Sequence, residues 1–163
     1  MSGFAKKSVR SRMMANIKSQ DTGPELLIRK GLFSRGYRFR LHCSKLPGKP
    51  DLVMKKYTAA IFVHGCFWHG HQCHLFKWPK SRPEFWKKKI LGNMDRDRDR
   101  LEKLASEGWR SLVIWECALK GKFRLVPDEL LDRVESFLVG KAPFHEITPP
   151  SVGRSDLKPR GCP

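Results

Sequence analysis

The spacing of apolar positions divides the chain into helix-like and strand-like stretches. In "DTGPELLIRKGLFSRGYRF" (21–39), Leu26, Leu27, Leu32 and Phe33 can share one helical face. Asp21 or Thr22 can cap that helix, Pro24 and Glu25 suit its first turn, and Gly36 suits its end. "YRFRLHC" (37–43) alternates and predicts a strand, and "SKLPGKP" (44–50) is a turn-rich connector. "DLVMKK" (51–56) and "TAAIFVHG" (58–65) predict two strands close enough to form a hairpin. "SRPEFWKKKILGNMDRDRDRLEKLASEG" (81–108) predicts a long helix, capped by Ser81, with Pro83 in its first turn and Gly108 as its stop. "WRSLVIWEC" (109–117) suits a buried strand, and "VPDELLDRVESFLVG" (126–140) a second amphipathic helix opened by proline.

Both ends lack this patterning. Residues 1–20 read as a basic arm with one helix over 11–19. From Lys141 onward five of the eleven prolines occur with little periodicity, which predicts a flexible tail over 141–163. No internal repeat is present. The order α-β-β-β-α-β-α over 21–140 predicts an α/β fold, a small mixed β-sheet flanked by helices.

Composition narrows the partners. A chain of 163 residues with 40% hydrophobic content has the makeup of one globular domain. Its net charge is +17, from 33 Lys+Arg against 16 Asp+Glu, which favours polyanions, DNA or RNA first. Highly soluble basic proteins share such an excess; the aromatics set among the basic residues favour nucleic acid. No apolar run reaches the roughly 18 residues that span a bilayer, so no membrane partner is expected. "MSGFAKKSVRSRMMANIK" has no apolar core of a secretory signal. The cytoplasm is then the expected compartment, and structural disulfides are not expected, in keeping with an odd count of five cysteines.

One stretch concentrates chemistry. "VHGCFWHGHQCHLFKW" (63–78) holds four of the six histidines and two of the cysteines, mixed with four large aromatics. Cys66, His71 and Cys73 are spaced C-x4-H-x-C, three ligands of the soft kind that tetrahedral zinc uses. The fourth must come from elsewhere. His69 and His74 are near in sequence, and Cys117 ends the apolar strand. A Cys3His set closed by Cys117 would be structural, since no position stays open for water. Inert buried thiols beside surface histidines are the plainer alternative. His64 and His69 remain for proton transfer near neutral pH.

Asp51 follows a proline at the start of a strand, and Glu25 lies early in a helix. Phosphodiester hydrolysis uses a divalent cation to neutralise the phosphate and activate water, and Mg²⁺ needs only one or two carboxylates. Asp51 is the expected direct ligand, with Glu25 holding a water of the cation. Asp95, Asp97 and Asp99 alternate with arginines; on a helix at most one or two of them can face a single site.

Together, "LPGKPD", "IFVHGCFWHGHQCHLFKWP", "EFWKKKILGN", "RDRDRL" and "GWRSLVIWECAL" resemble the very-short-patch repair (Vsr) DNA mismatch endonucleases, from about residue 11 through the last helix. The resemblance implies a restriction-endonuclease-like fold and a Mg²⁺-dependent nick in one strand of double-stranded DNA, 5′ of the thymine of a T:G mismatch left by 5-methylcytosine deamination. It implies Asp51 as Mg²⁺ ligand with the main-chain carbonyl of Val63, and His69 as catalytic histidine. Glu25, His64 and Asp97 would assist around the cation's waters and the phosphate. Cys66, His71, Cys73 and Cys117 would hold structural Zn²⁺. Phe67, Trp68 and Trp86 resemble an aromatic wedge entering from the major groove, and Met14 its minor-groove counterpart. Lys89 and Asn93 match positions that contact the mismatch. MutL- or MutS-type repair proteins are the implied partners, the protein is expected to be a monomer, and the bacterial nucleoid is its expected place.

Three features depart from the usual patterns. Val63 stands where the family leads us to expect threonine, which a carbonyl ligand tolerates. Gly70 and Gln72 interrupt what can be a longer histidine run. The D/E-x-K of restriction-type sites is absent, so histidines must take the lysine's part. A zinc-stabilised DNA-binding module without catalysis, or a related nuclease with another substrate, are the competing readings.

Overall fold

The computed structural model describes residues 21–150. The arm over 1–20, its helix and Met14 lie outside the described residues. The elements are α1 (Gly23–Ser34), β1 (Arg40–Leu41), β2 (Leu52–Met54), a 3₁₀ turn (Lys55–Tyr57), β3 (Ala59–His64), α2 (Pro83–Ser106), β4 (Arg110–Trp115), α3 (Glu116–Leu119), α4 (Pro127–Val139) and β5 (Phe144–Ile147). The strands form one sheet in the order β1-β2-β3-β4-β5. The β1–β2 and β2–β3 pairs are antiparallel, and β3–β4 and β4–β5 are parallel. This is the small mixed sheet flanked by helices that the pattern predicts.

Alternation along the central strands builds two cores. Ala59, Ile61, Leu112 and Ile114 pack with Ile28 and Leu32 of α1 and with Leu130, Leu131 and Val134 of α4. Ala60, Phe62, Val113 and Trp115 face the other way, with Leu104 of α2, Cys66 and Cys117. Because helices or loops cover both faces, β3 and β4 read as continuous apolar runs. Arg110 closes the edge between layers: its guanidinium donates to the carbonyls of Tyr57, Phe137, Leu138 and Gly140.

Four expectations need correction. The segment read as a tail from Lys141 contains β5, which pairs along β4 from Ser111↔Phe144 to Ile114↔Ile147 and fully buries Ile147. The inward face of α1 is not the Leu26–Phe33 face, since Leu26 is 39% and Phe33 59% exposed. Positions 25, 28, 29 and 32 point inward instead, a regular helical stripe disguised by the polar residues Glu25 and Arg29. Thr22 caps α1, accepting a hydrogen bond from the Glu25 N–H. Ser81 does not cap α2; Arg82 takes that place in left-handed backbone, without a side-chain cap. Finally, only Arg40 and Leu41 of the alternating "YRFRLHC" pair as strand.

Candidate active site and metal centre

Asp51 immediately precedes β2, and β3 ends at His64, so the antiparallel hairpin brings the two to one end of the sheet. A cavity of about 330 Å³ opens there, and Glu25, Asp51, His64, His69 and Asp97 all line it. The Val63 N–H donates to Asp51 Oδ2 at 2.7 Å. Burial pushes the Asp51 carboxyl up to about 6, against the lowering effect of that hydrogen bond, and the neighbouring Glu25 charge adds to the rise. A desolvated carboxylate beside a second one is a donor set that suits a hard divalent cation.

Glu25 is only 3% exposed. Its Oε1 accepts from the Thr22 hydroxyl at 2.9 Å, and its Oε2 from the Asp21 N–H and from Arg29, both at 3.0 Å. With the Glu25 N–H returned to the Thr22 side chain, this resembles a capping box at the start of α1, shifted so that Glu25 takes the N–H of Asp21 rather than that of the N-cap residue Thr22. The same carboxylate therefore starts a helix and faces the cavity.

Across the cavity, His69 Nδ1 and Asp97 Oδ2 form a hydrogen bond. Of the three alternating aspartates on α2, only Asp97 reaches the cavity; Asp95 pairs with Arg98 at the surface and Asp99 is exposed. Burial raises the Asp97 carboxyl, yet the bond from His69 and the nearby charges of His69 and Arg100 outweigh it and leave the group below its ordinary range. The His64 ring stacks on His69 at 3.8 Å and 3°. Burial, and then the His69 charge, pull His64 down to about 3, so it is a neutral imidazole near pH 7. With Nδ1 directed at a carboxylate, the His69 ring keeps Nε2 for proton exchange, the arrangement of an oriented general acid or base.

The second cluster grows out of the parallel pair. His64 lies opposite Trp115 in the β3–β4 register, and each strand delivers a cysteine two residues later, Cys66 and Cys117. Ligand atoms of Cys66, His71, Cys73 and Cys117 all lie within 4.8 Å of one another. His71 Nδ1 is 3.5 Å from both the Cys66 and the Cys117 sulfur, and its ring stacks on Trp115 at 4.2 Å. The Cys66 N–H donates to Glu116 at 3.1 Å, fixing the loop to α3. The Cys117 thiol is the chief influence that pulls the Cys66 thiol down to about 4, and Cys117 is pushed up in turn. Burial pushes Cys73 up. Three thiols crowd a space in which one ionises readily unaided; a divalent ion would accommodate all three. His69 is engaged with Asp97 and His74 packs against Phe123, so among the three sequence candidates it is Cys117 that completes this group. Gly70 holds the loop with φ +65°, and a side chain there would also meet Met94.

Phe67, Trp68 and Trp86 form one aromatic cluster, with ring centroids 5.2 to 6.0 Å apart. All three are half-buried. Lys89 lies over the Trp68 ring at 5.5 Å, and Asn93 donates to the Trp68 carbonyl at 2.8 Å. Asn93 thus holds the loop in this structure, in addition to any contact it makes with a ligand. Phe85, 48% exposed, extends the patch beyond the residues singled out in sequence. Arg29, His42, Lys49 and Arg100 were also missed. His42, Lys49 and Arg100 line the cavity, and Arg29 binds Glu25 from one helical turn on. The i, i+4 spacing of Glu25 and Arg29 was the available signal.

The mixed sheet, whose antiparallel hairpin presents a buried carboxylate to a cavity walled by histidines and a second acid, agrees with the restriction-endonuclease-like class of endonucleases that the sequence resembles. Sequence comparison agrees. The family model for the DNA mismatch endonuclease Vsr matches residues 3–75. The DNA mismatch endonuclease Vsr of Escherichia coli (strain K12) is 43% identical over 141 residues, 86% of this chain and 90% of that protein. The type II nicking enzyme V.XorIIP of Xanthomonas oryzae pv. oryzae (strain KACC10331 / KXO85) is 48% identical over 110 residues, 68% of this chain and 81% of its own. V.NmeAIP, a type II nicking enzyme of Neisseria meningitidis serogroup A / serotype 4A (strain DSM 15465 / Z2491), is 45% identical over 115 residues, 71% of this chain and 82% of its own. The chain belongs to the Vsr DNA mismatch endonuclease family.

Proposed function

We propose that this endonuclease nicks one strand of double-stranded DNA, 5′ of the thymine in a T:G mismatch, in a Mg²⁺-dependent reaction that begins very-short-patch repair. The observation that carries the reading is the convergence of Asp51, Glu25 and the His69–Asp97 pair on one cavity. The names of the relatives, a mismatch endonuclease and nicking enzymes, support the reaction class. Asp51 and the Val63 carbonyl would hold Mg²⁺. When bound, the ion would supply positive charge to the phosphate and ease deprotonation of the attacking water. Glu25 would orient water beside Asp51. His69, held by Asp97, would exchange a proton at the phosphate through Nε2, and neutral His64 would support its ring. Cys66, His71, Cys73 and Cys117 would hold Zn²⁺ and anchor the loop.

Phe67, Trp68 and Trp86 would enter the duplex at the mismatch, because a mispaired step costs less to unstack than a paired one. Lys89 and Asn93 would contact the mismatch region, and Met14 the minor groove. This reading places the protein in the bacterial cytoplasm, at the nucleoid, acting as a monomer alongside MutL- or MutS-type proteins. No helix among the described residues is long and apolar enough to cross a membrane. A strand-resolved nicking assay tests the proposal, using a duplex with one T:G pair and its T:A twin, with Mg²⁺ or EDTA. The expected result is a Mg²⁺-dependent nick in the thymine strand of the mismatched duplex alone. Equal cutting of both duplexes would overturn the mismatch assignment, and cutting in EDTA the cation.

A further inference from the structure

Asp21, Glu25 and His42 form a third group whose ligand atoms lie close enough to hold a metal ion. Their common centre is taken by Arg29. Its guanidinium lies 2.5 Å from Asp21 Oδ1, 3.0 Å from Glu25 Oε2 and 2.7 Å from His42 Nε2. A guanidinium has donors only, so in the tautomer with its proton on Nδ1 the His42 ring accepts from Arg29 through Nε2, which also lies 3.6 Å from Asp21 Oδ1. The His42 backbone N–H in turn donates to the Asp51 carbonyl at 3.3 Å. A chain of contacts therefore runs from the Glu25 carboxylate through Arg29 to the His42 ring, and the His42 main chain holds the main-chain carbonyl of Asp51. Two further observations set this path apart from an ordinary ion pair. Arg29 is only 8% exposed, so it is a buried charge held by these partners. His42 has φ +45°, left-handed backbone that a residue with a side chain adopts at a cost, and such outliers gather at functional sites.

We propose that Arg29 and His42 are positioning residues that fix the Glu25 carboxylate relative to the Asp51 segment, and thereby set the affinity of the cavity for its divalent cation. The inference rests on the reading of Asp51 as a cation ligand. Both are assigned to act through Glu25 and the Asp51 main chain rather than on the phosphate. His42 is the link best suited to test, because its contribution is one acceptor atom. Glutamine can restore that acceptor and leucine cannot.

The full-length chain, equilibrated with Zn²⁺ and freed of excess, would be titrated with Mn²⁺ in the absence of DNA and followed by electron paramagnetic resonance. Parent, Asp51→Ala, His42→Leu and His42→Gln would be compared. We expect His42→Leu to weaken Mn²⁺ binding about tenfold, the low end of the effect of outer partners on metal affinity. His42→Gln should stay within about threefold of the parent, and both His42 variants should keep the parent's Zn²⁺ content. Unchanged Mn²⁺ affinity in His42→Leu, with binding lost in Asp51→Ala, would overturn the positioning role alone. Equal weakening in the leucine and glutamine variants would also overturn it, since the acceptor would then not be what matters. Parent-like binding in Asp51→Ala would overturn the cation reading itself, and the positioning role with it.

Discussion

A carboxyl group that ionises near pH 6 in the folded chain, rather than near 4, raises the energy of the folded state at neutral pH. For Asp51 the rise comes from burial. Such a group is stabilising relative to the unfolded chain only while it is protonated, so its contribution is complete below about pH 4 and is lost as pH rises through about 6. Asp51→Asn keeps an acceptor for the Val63 N–H and removes the charge. We predict that it raises the stability of the metal-free protein at pH 7.5 by on the order of 1–2 kcal/mol, while abolishing nicking. Urea unfolding at pH 7.5 and at pH 5 checks this, and the gain should shrink at the lower pH. With Asp51 as the proposed cation ligand, the same ionisation should make Mg²⁺ affinity fall as pH drops below about 6. Asp51, His69 and the cysteines are legible in the sequence because Asp51 follows a proline at the start of a strand, His69, Cys66 and Cys73 crowd one short Gly-bearing stretch, and Cys117 ends an apolar run. Arg29 and His42 are not, because their roles arise only when α1 meets the end of β1.

At the scale of elements, the hairpin, the long helix α2 and the proline-started helix α4 follow directly from periodicity. β5 does not: three of its four residues, Phe144, His145 and Glu146, are exposed, and a single inward residue leaves no period to read. Yet Ile147 is fully buried, and Glu146 accepts from the Trp115 indole at 3.1 Å. Ending the chain after Gly140 should therefore cost at least about 2 kcal/mol, the scale of removing one buried isoleucine, measured by denaturant unfolding. The Cys/His loop has little regular structure of its own and is held by hydrogen bonds to Asn93 and Glu116; on the proposed reading, Zn²⁺ ligation would fasten it further. Cys117→Ser should lower bound Zn²⁺ and melting temperature together. Full Zn²⁺ occupancy by elemental analysis would mean that another residue closes the set. The aromatic patch joins this loop to the start of α2 through Trp68 and Trp86. Trp68→Ala should weaken binding to mismatched duplex more than to paired duplex. An equal loss in a paired titration would assign the ring to packing.

For the molecule as a whole, a net charge of +17 supplies attraction to any duplex, paired or mispaired. Raising salt from about 50 to about 200 mM should weaken both by at least about tenfold and leave their ratio nearly unchanged, measured by fluorescence anisotropy. On the proposed reading, discrimination would then belong to the rings and not to the charge. The parallel join between β3 and β4 has a different consequence. His71 and Cys117 lie 46 positions apart, and Cys66 and Cys117 come level only because His64 is matched with Trp115. A slip of one residue would turn every side chain of a strand to the opposite face and carry its cysteine away from the others. Pairing of strands so distant in sequence is the slow part of folding. A cation that needs both strand ends will be captured late, and only by chains whose central strands have met in register. On the proposed zinc reading, the ion would thereby act as a checkpoint in refolding: added after collapse, it should draw the population toward the correctly paired sheet and leave slipped chains without metal.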